Sequence, residues 1–478
     1  MLIAAAVAGV STAAPADVPL RIYGTVPDTV TTSSYTVVGV TSPQARATIA
    51  GNEVKVYPTT GSFGAKVDLI DGENNIEVTA SLGGEKETEI IKIFRTEAKP
   101  KAGETATPAS VPDYVQTAEG AYLQYGNGGD RLGGSKIGFL APGITLRVLG
   151  REGNLYKVSL SEHRWAYLPI SYAKAANERP VIVNTASWSV NNLGDKDRVT
   201  ISLPTRLPYR YYTQLDPSSL IIELYGATDN SNWIVQRSLD LGMIDYVDFN
   251  QVESDVYQVI IRLKHQYQWG FKVDYNGTAL VIDVRHTPHD LSWRHLTVGL
   301  DAGHGGEYPG ARSISGILEK DVNLDIVLRL QKLIEKAGGK VVMTRSDDSG
   351  PSMSERKRIW REANVDLAVS VHNNSGGGAL ASPGTSTYYK HLFDRPLALA
   401  VLARMVETGL PLYGLTGNFN FSLNAPTEFP NTLVEGMFMS SLEEEAKIAD
   451  PAFRQLVAEK IFAGLNDYIT QVRKSLKK

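Results

Sequence analysis

The stretch Leu296-Thr297-Val298-Gly299-Leu300-Asp301-Ala302-Gly303-His304-Gly305-Gly306 runs an apolar, strand-like segment straight into a glycine-rich turn that carries a histidine. After it, Leu318-Glu319-Lys320-Asp321 opens a segment whose apolar residues recur three and four apart up to Ile334, a helix that Gly338-Gly339 stops. A second short apolar run, 365–371, ends at His372 within Val369-Ser370-Val371-His372-Asn373-Asn374. Strand, helix and strand in this order read as an α/β protein. Both histidines then fall just past the carboxyl ends of strands, where open α/β sheets build their sites.

His304, Glu319 and His372 together offer a metal two imidazoles and a carboxylate. A catalytic zinc site uses three protein ligands of this kind and leaves the fourth tetrahedral position to water or substrate, which is the reason to expect hydrolysis. Each member alone has a plainer reading. Glu319 in a first helical turn would suit the helix dipole as a capping charge. The chain also holds eight histidines, namely His163, His265, His286, His289, His295, His304, His372 and His391, and most are expected to have no role. His304 stands apart because glycines crowd around it and let backbone approach closely. His372 stands apart because it ends an apolar strand beside two asparagines.

Five ordered motifs carry a family resemblance: Asp301 to Gly306, Glu319 to Leu324, Thr344-Arg345-Ser346-Asp347-Asp348, Ser370 to Asn374, and Leu433-Val434-Glu435-Gly436-Met437-Phe438. In this order, over residues 296–475, the chain resembles the catalytic domain of zinc-dependent N-acetylmuramoyl-L-alanine amidases. The resemblance implies that His304, Glu319 and His372 bind zinc and that Glu435 is the catalytic carboxylate. It implies an α/β catalytic domain with a mainly parallel sheet flanked by helices, and peptidoglycan as the substrate. The bond cut would be the amide joining the lactyl group of N-acetylmuramic acid to the L-alanine of the stem peptide.

Zinc would polarise the amide carbonyl and lower the pKa of its bound water from ~15.7 to ~7. Glu435 would take the proton from that water and return it to the departing amine. Glu435 also lies in an apolar, strand-like run where a carboxylate is awkward unless it is paired or functional. Asp301 has two readings, an acceptor orienting His304 or a turn-shaping residue, and Asn374 either bonds near the site or makes a turn.

Two departures from the family pattern bear on the site. Met439-Ser440-Ser441 follows the last strand where the family usually ends in Ser-Asn. The loop Asn418 to Pro426 lacks the arginine commonly found there, so substrate contacts in that loop are expected to differ. Some relatives carry an autoinhibitory helix between the second histidine and the catalytic glutamate. Here a strand over 384–390, a helix over 396–409 and a loop use up that interval.

At 478 residues the chain is too long for one core. Its 42% hydrophobic and 21% charged residues are ordinary for globular domains, and a net charge of −4 gives no nucleic-acid footprint. The absence of cysteine excludes disulfides and thiolate ligands. Residues 1–19 look like the hydrophobic part of a secretory signal without its usual positive start, too short to span a bilayer, and are expected to be absent from the mature protein.

Three all-β modules are expected before the catalytic domain. Residues 20–95 alternate apolar and polar residues between turn signals and look like an immunoglobulin-like sandwich. A linker over 96–112 follows, then an SH3-like barrel over 113–178. Residues 179–290 are similar to the AMIN-like, envelope-targeting β-domain often fused to such amidases, and the catalytic domain occupies 291–478. Tyr209, Tyr211, Tyr212, Tyr267 and Trp269 could stack on sugar rings, although core packing is the expectation favoured for them.

The resulting expectation is an exported monomer of the periplasm or cell envelope, with Zn2+ as cofactor and peptidoglycan as partner. Neither nucleic acid nor stable membrane insertion is expected, and an activator protein is left open. The alternatives are a zinc peptidase or amidohydrolase acting on another cell-wall amide, and a non-catalytic wall-binding scaffold.

Overall fold

A computed structural model describes residues 18–96, 111–128, 133–237 and 239–477. Residues 1–17 of the signal-like segment and 97–110 of the expected linker lie outside the described residues. Among the described residues no helix is long and apolar enough to cross a membrane.

Strand alternation builds the first module. In Ser34–Val40, Val37 faces a core shared with Phe63, Ile49, Ile76 and Ile93, and its neighbour Val38 faces out of that core. A three-stranded sheet around Ser34–Val40 and Ser62–Asp68 thereby packs on a five-stranded sheet built on the hairpin Gly72–Leu82 and Glu85–Arg95.

Residues 114–176 form one seven-stranded antiparallel sheet, and residues 183–285 form sheets of four, five and two strands. These two regions share one continuous core, in which Val115, Leu146 and Leu168 lie with Ile222, Ile261 and Ile282. Arg164 also reaches across to Glu223 at 3.0 Å and Glu253 at 2.8 Å. Tyr209, Tyr211 and Trp269 are buried and Tyr212 and Tyr267 half-buried, so packing outweighs sugar stacking for the first three. Trp269 is not in that shared core. It sits in the core of the C-terminal sheet, stacked on Tyr468 with 12° between the rings.

The C-terminal sheet has six strands in the order β2-β1-β3-β6-β4-β5, where β1 is Thr297–Ala302, β2 Lys340–Met343, β3 Leu367–Asn374, β4 Thr385–Tyr388, β5 Leu412–Thr416 and β6 Asn431–Phe438. Neighbours are parallel throughout except β6 and β4, which are antiparallel. The helices are α1 (Glu319–Lys336), α2 (Met353–Glu362), α3 (Arg395–Met405), α4 (Leu442–Ile448) and α5 (Pro451–Ser475).

One face of the sheet buries Val298, Leu300, Val369, Val371 and Val434 against Ile326 and Leu330 of α1, Leu397 and Val401 of α3, and Ile461 and Leu465 of α5. The other face is covered by Trp360 of α2 with Ala368, Leu423 and Phe429. Covering both faces explains why β1, β3 and β6 read as nearly continuous apolar runs. It also leaves the carboxyl ends of these three strands free to carry polar chemistry.

The seven-stranded module meets the C-terminal domain at Lys390 and at the loop that holds Asn418 and Asn420. Asn420 Nδ2 donates to Gly134 O at 2.8 Å, Asn418 Nδ2 to Ser135 Oγ at 3.0 Å, and Lys390 Nζ to Lys136 O at 2.9 Å. Asn418 and Asn420 belong to the loop expected to differ in its substrate contacts, and a serine hydroxyl and a backbone carbonyl of the neighbouring module accept from them.

Candidate active site

β1 ends at Ala302, and the chain turns sharply through Gly303 and His304. His304 adopts a left-handed backbone with φ 64°, which costs an L-residue roughly 1–2 kcal/mol. Two buried arginines support this turn from below. Arg345 donates from Nε to Ala302 O at 2.8 Å and from Nη2 to Gly303 O at 3.0 Å. Arg356 donates from Nη2 to His304 O at 2.7 Å and from Nη1 to Ala302 O at 3.0 Å. Backbone strain of this kind persists only when the surroundings over-determine it, as these bonds do here.

Glu319 begins α1 but does not cap it. The N-cap is Leu318, which has no side-chain cap bond, and the Glu319 carboxylate points away into the site and is buried. Its Oε2 lies 3.2 Å from His304 Nε2, and its Oε1 lies 3.1 Å from His372 Nδ1. The two imidazole rings stand nearly perpendicular with centroids 4.9 Å apart. One donor atom from each of the three residues falls within 4.8 Å of the others.

Around this triad the carboxylate is held by backbone and amide groups. Ala311 N donates to Glu319 Oε2 at 2.8 Å, and Asn373 N to Oε1 at 3.1 Å. Asn323, one turn along α1, donates from Nδ2 to Glu319 Oε1 and to Gly303 O, each at 3.2 Å, and accepts from Asn373 Nδ2 at 2.8 Å. Burial works to raise the Glu319 carboxyl, but bonding to His304 and His372 outweighs it and holds the group well below the usual carboxylate range. Burial likewise works to lower the His372 imidazole, and the bond to Glu319 with the charge of Glu435 leaves it raised.

Two glycines make this closeness possible. A Cβ at Gly303 would stand 2.2 Å from His372 Cε1, and one at Gly310, whose φ is +70°, would stand 2.4 Å from Glu319 Oε2. Neither position has room for a side chain.

Glu435 lies in β6 directly opposite His372 in β3, so the two side chains leave the sheet on the same face. It is buried within a strand that is buried along its whole length. The structure therefore brings His304, Glu319, His372 and Glu435 to one end of the sheet.

Asp301 departs from both of its sequence-based readings. It neither contacts the His304 ring nor shapes the turn. It is fully buried and accepts from Arg356 Nη1 at 2.6 Å, Thr344 Oγ1 at 2.5 Å and Ser370 Oγ at 2.6 Å. Burial would raise its pKa, and the charge of Arg356 more than offsets this and leaves it lowered. Asn374 ends β3, where its Oδ1 accepts from Ser375 N at 2.8 Å, whereas its neighbour Asn373 donates to the Glu319 carboxylate. Sequence reading missed Asn323, Asn373 and Arg356. For the first two, the signal was their place inside the quoted motifs; for Arg356 there was none.

Residues 298–467 match the family model described as N-acetylmuramoyl-L-alanine amidase. The Bacillus subtilis protein YqiI is 30% identical over 179 residues, 37% of this chain and 85% of that relative. The chain belongs to the N-acetylmuramoyl-L-alanine amidase family. The amidase AmiC of Escherichia coli is 32% identical over 222 residues, covering 37% of this chain and 53% of that protein, so the match spans about half of the E. coli enzyme. A solved structure of the catalytic domain of CwlV, an amidase of Bacillus (Paenibacillus) polymyxa var. colistinus, is 32% identical, covering 37% of this chain and 99% of that one with a TM-score of 0.35. The matched span contains all four clustered residues of the amidase domain, and the β-modules lie before it.

Proposed function

We propose that the amidase domain hydrolyses the amide between N-acetylmuramic acid and the L-alanine of the peptidoglycan stem peptide, with zinc held by His304, Glu319 and His372. The observation that carries this reading is the convergence of two imidazoles and a carboxylate within 4.8 Å. The donor set fits zinc: nitrogen and oxygen donors, three in number, with the carboxylate already oriented by neighbouring amides. When bound there, zinc supplies Lewis acidity that polarises the amide carbonyl and brings the pKa of water down to ~7.

The chain's own residues do the rest. Glu435 carries a carboxylate to the same sheet end as His372, where it takes a proton from the attacking water and passes it to the leaving amine nitrogen of L-alanine. Asn323, Asn373 and Ala311 fix the Glu319 carboxylate, so the ligand set does not reorganise during turnover. Arg345 and Arg356 hold the His304 turn in its left-handed conformation. The substrate places the protein outside the cytoplasm, in the cell envelope. The all-β modules before the amidase domain are read as an immunoglobulin-like sandwich, an SH3-like barrel and an AMIN-like wall-binding domain.

Mass spectrometry of fragments released from purified peptidoglycan tests the bond. Free stem peptides beginning with L-alanine are the expected products, and cleavage only within the peptide would favour the peptidase alternative. Two variants separate the roles. Glu435→Gln is expected to keep its zinc and lose orders of magnitude in turnover, and His372→Ala to lose zinc and activity together. Normal turnover in the first, or full zinc content in the second, removes that residue from its role.

A further inference from the structure

The segment between His304 and Glu319 is a folded-back hairpin whose two ends do different things. At its base, Ala311 and Glu319 interlock, with Glu319 N donating to Ala311 O at 2.9 Å and Ala311 N donating to the Glu319 carboxylate at 2.8 Å. A bridge between Arg312 and Leu318 continues the pairing. At its tip, Ser313 N donates to Ile317 O and Ile317 N to Ser313 Oγ, each at 2.9 Å, so the tip is a closed turn.

The N-terminal sandwich and α4 grip this tip from two sides. Ile314 is buried in a cluster with Val38 of the sandwich and Leu442 of α4. Tyr23 OH donates to Arg312 O at 3.2 Å and Arg21 Nη2 to Ile314 O at 3.4 Å. From α4, the buried Glu445 accepts from Ser315 N at 2.5 Å. The sandwich also bonds α4 itself through Thr59 Oγ1 to Ala446 O at 3.2 Å. Its sheet presents bare backbone at Gly64, where a Cβ would come within 3.2 Å of Leu442.

We infer that the N-terminal sandwich is a positioning element of the metal site: by clamping the Ser313–Gly316 tip, it fixes the hairpin base that orients Glu319. Val38, Ile314 and Leu442 are the positioning residues, and none touches the ligand triad. The physical basis is the hairpin's stiffness. A tip held by an apolar contact on both sides and by Glu445 has few ways to shift, and any shift moves the Ala311 amide against the Glu319 carboxylate. Ligand-orienting groups of this kind set metal affinity. This inference rests on the proposed zinc site, and it makes metal affinity depend on a module over 200 residues away in sequence.

Val38→Asp in the full-length protein tests it. Val38 points away from the sandwich's own core, which is built on Val37 and Phe63, so the module keeps its fold while the contact with Ile314 and Leu442 is broken. Zinc affinity is measured by chelator competition, and the cobalt-substituted protein gives the visible absorption spectrum of the site. The dissociation constant is expected to rise roughly tenfold, the low end for loss of a ligand-orienting group, with an altered cobalt spectrum, and Val38→Ile is expected to restore both. Ile314→Ala, which empties the same contact from the catalytic side, is expected to shift both readouts in the same direction and carries the test if Val38→Asp does not fold. Unchanged affinity and spectrum in the folded variant overturn the inference. Failure of the unaltered protein to bind zinc would instead overturn the zinc reading itself.

Discussion

Replacing Arg356 by Met is expected to cost the amidase domain more stability than any other single change to the polar groups under its site. The guanidinium is fully buried and donates four bonds: to Asp301 Oδ1 at 2.6 Å, Ala302 O at 3.0 Å, His304 O at 2.7 Å and Pro351 O at 2.9 Å. Met fills much of the volume but leaves the buried Asp301 carboxylate with only Thr344 and Ser370 as donors. Removing one partner of a buried ion pair costs about 3–5 kcal/mol, because the remaining charge has lost its compensation. For a domain of this size each kcal/mol shifts the melting temperature by about 2–4 °C, so a fall of roughly 6–20 °C is expected.

Thermal and urea unfolding of Arg356→Met, Asp301→Asn and the double variant, followed across pH, measure this. Asp301 has a folded pKa below 3.8, so its contribution is fully present above that value and is lost as pH falls through the folded pKa. Without Arg356, the largest influence opposing burial is gone, and the Asp301 pKa moves up although Thr344 and Ser370 still donate to it. The stability gap between the unaltered protein and Arg356→Met should therefore be wide at pH 7 and narrow toward pH 3. The double variant should cost less than the sum of the singles by about 0.5–3 kcal/mol. It should not return to the unaltered value, since the carbonyls of Ala302, His304 and Pro351 stay without their donor. A loss below about 1 kcal/mol for Arg356→Met, or a gap that does not change with pH, refutes the reasoning.

Gly310→Ala is expected to lower zinc content and stability together, since the new Cβ would meet Glu319 Oε2 at 2.4 Å from a backbone with φ +70°. The conformational part alone costs about 1–2 kcal/mol, and metal analysis showing full zinc occupancy would count against the crowding argument. His391 gives a second pH effect. Burial depresses its pKa to about 4, and its Nε2 lies 3.1 Å from Ala425 O. The unfolded chain takes up this proton near pH ~6.5, so stability is expected to fall as pH drops from there toward 4. His391→Gln keeps a donor that does not titrate and should flatten that part of the stability profile. An unchanged profile would assign the acid sensitivity to other groups.

The residues of the proposed site were legible because their signals are local. His304 follows an apolar run and sits among glycines, Glu319 opens a helix of clear periodicity, and Glu435 is a charge in an otherwise apolar strand. Each of these can be read in a window of about ten residues. The supporting residues were not legible because their partners are remote. Asp301 finds Thr344, Arg356 and Ser370 at separations of 43, 55 and 69 residues. Arg356 lies in the polar run Met353 to Glu362, where a guanidinium reads as a solvated charge until the fold turns it under β1. Trp269 illustrates the same limit for packing, since a residue from the β-module region belongs to the core of a different sheet, where it stacks on Tyr468 of α5.

These two kinds of residue divide the work in a way that explains the order of legibility. A ligand must be presented on a stiff local element, so its surroundings in sequence are constrained and readable. The groups that aim it can come from anywhere that satisfies a carbonyl or a carboxylate, which is a requirement on space alone. The turn at His304 shows both. Its glycines are local and visible, but the left-handed φ of 64° is stabilised by two arginines that lie 41 and 52 residues further along the chain. A substitution of Arg356, which lies outside the five motifs, would be silent to a search for them and still loosen the turn that carries the proposed ligand His304. For the same reason, the contact between Val38 and Ile314, which joins residues with no shared pattern, can bear on the geometry of Glu319 without any trace in the sequence around it.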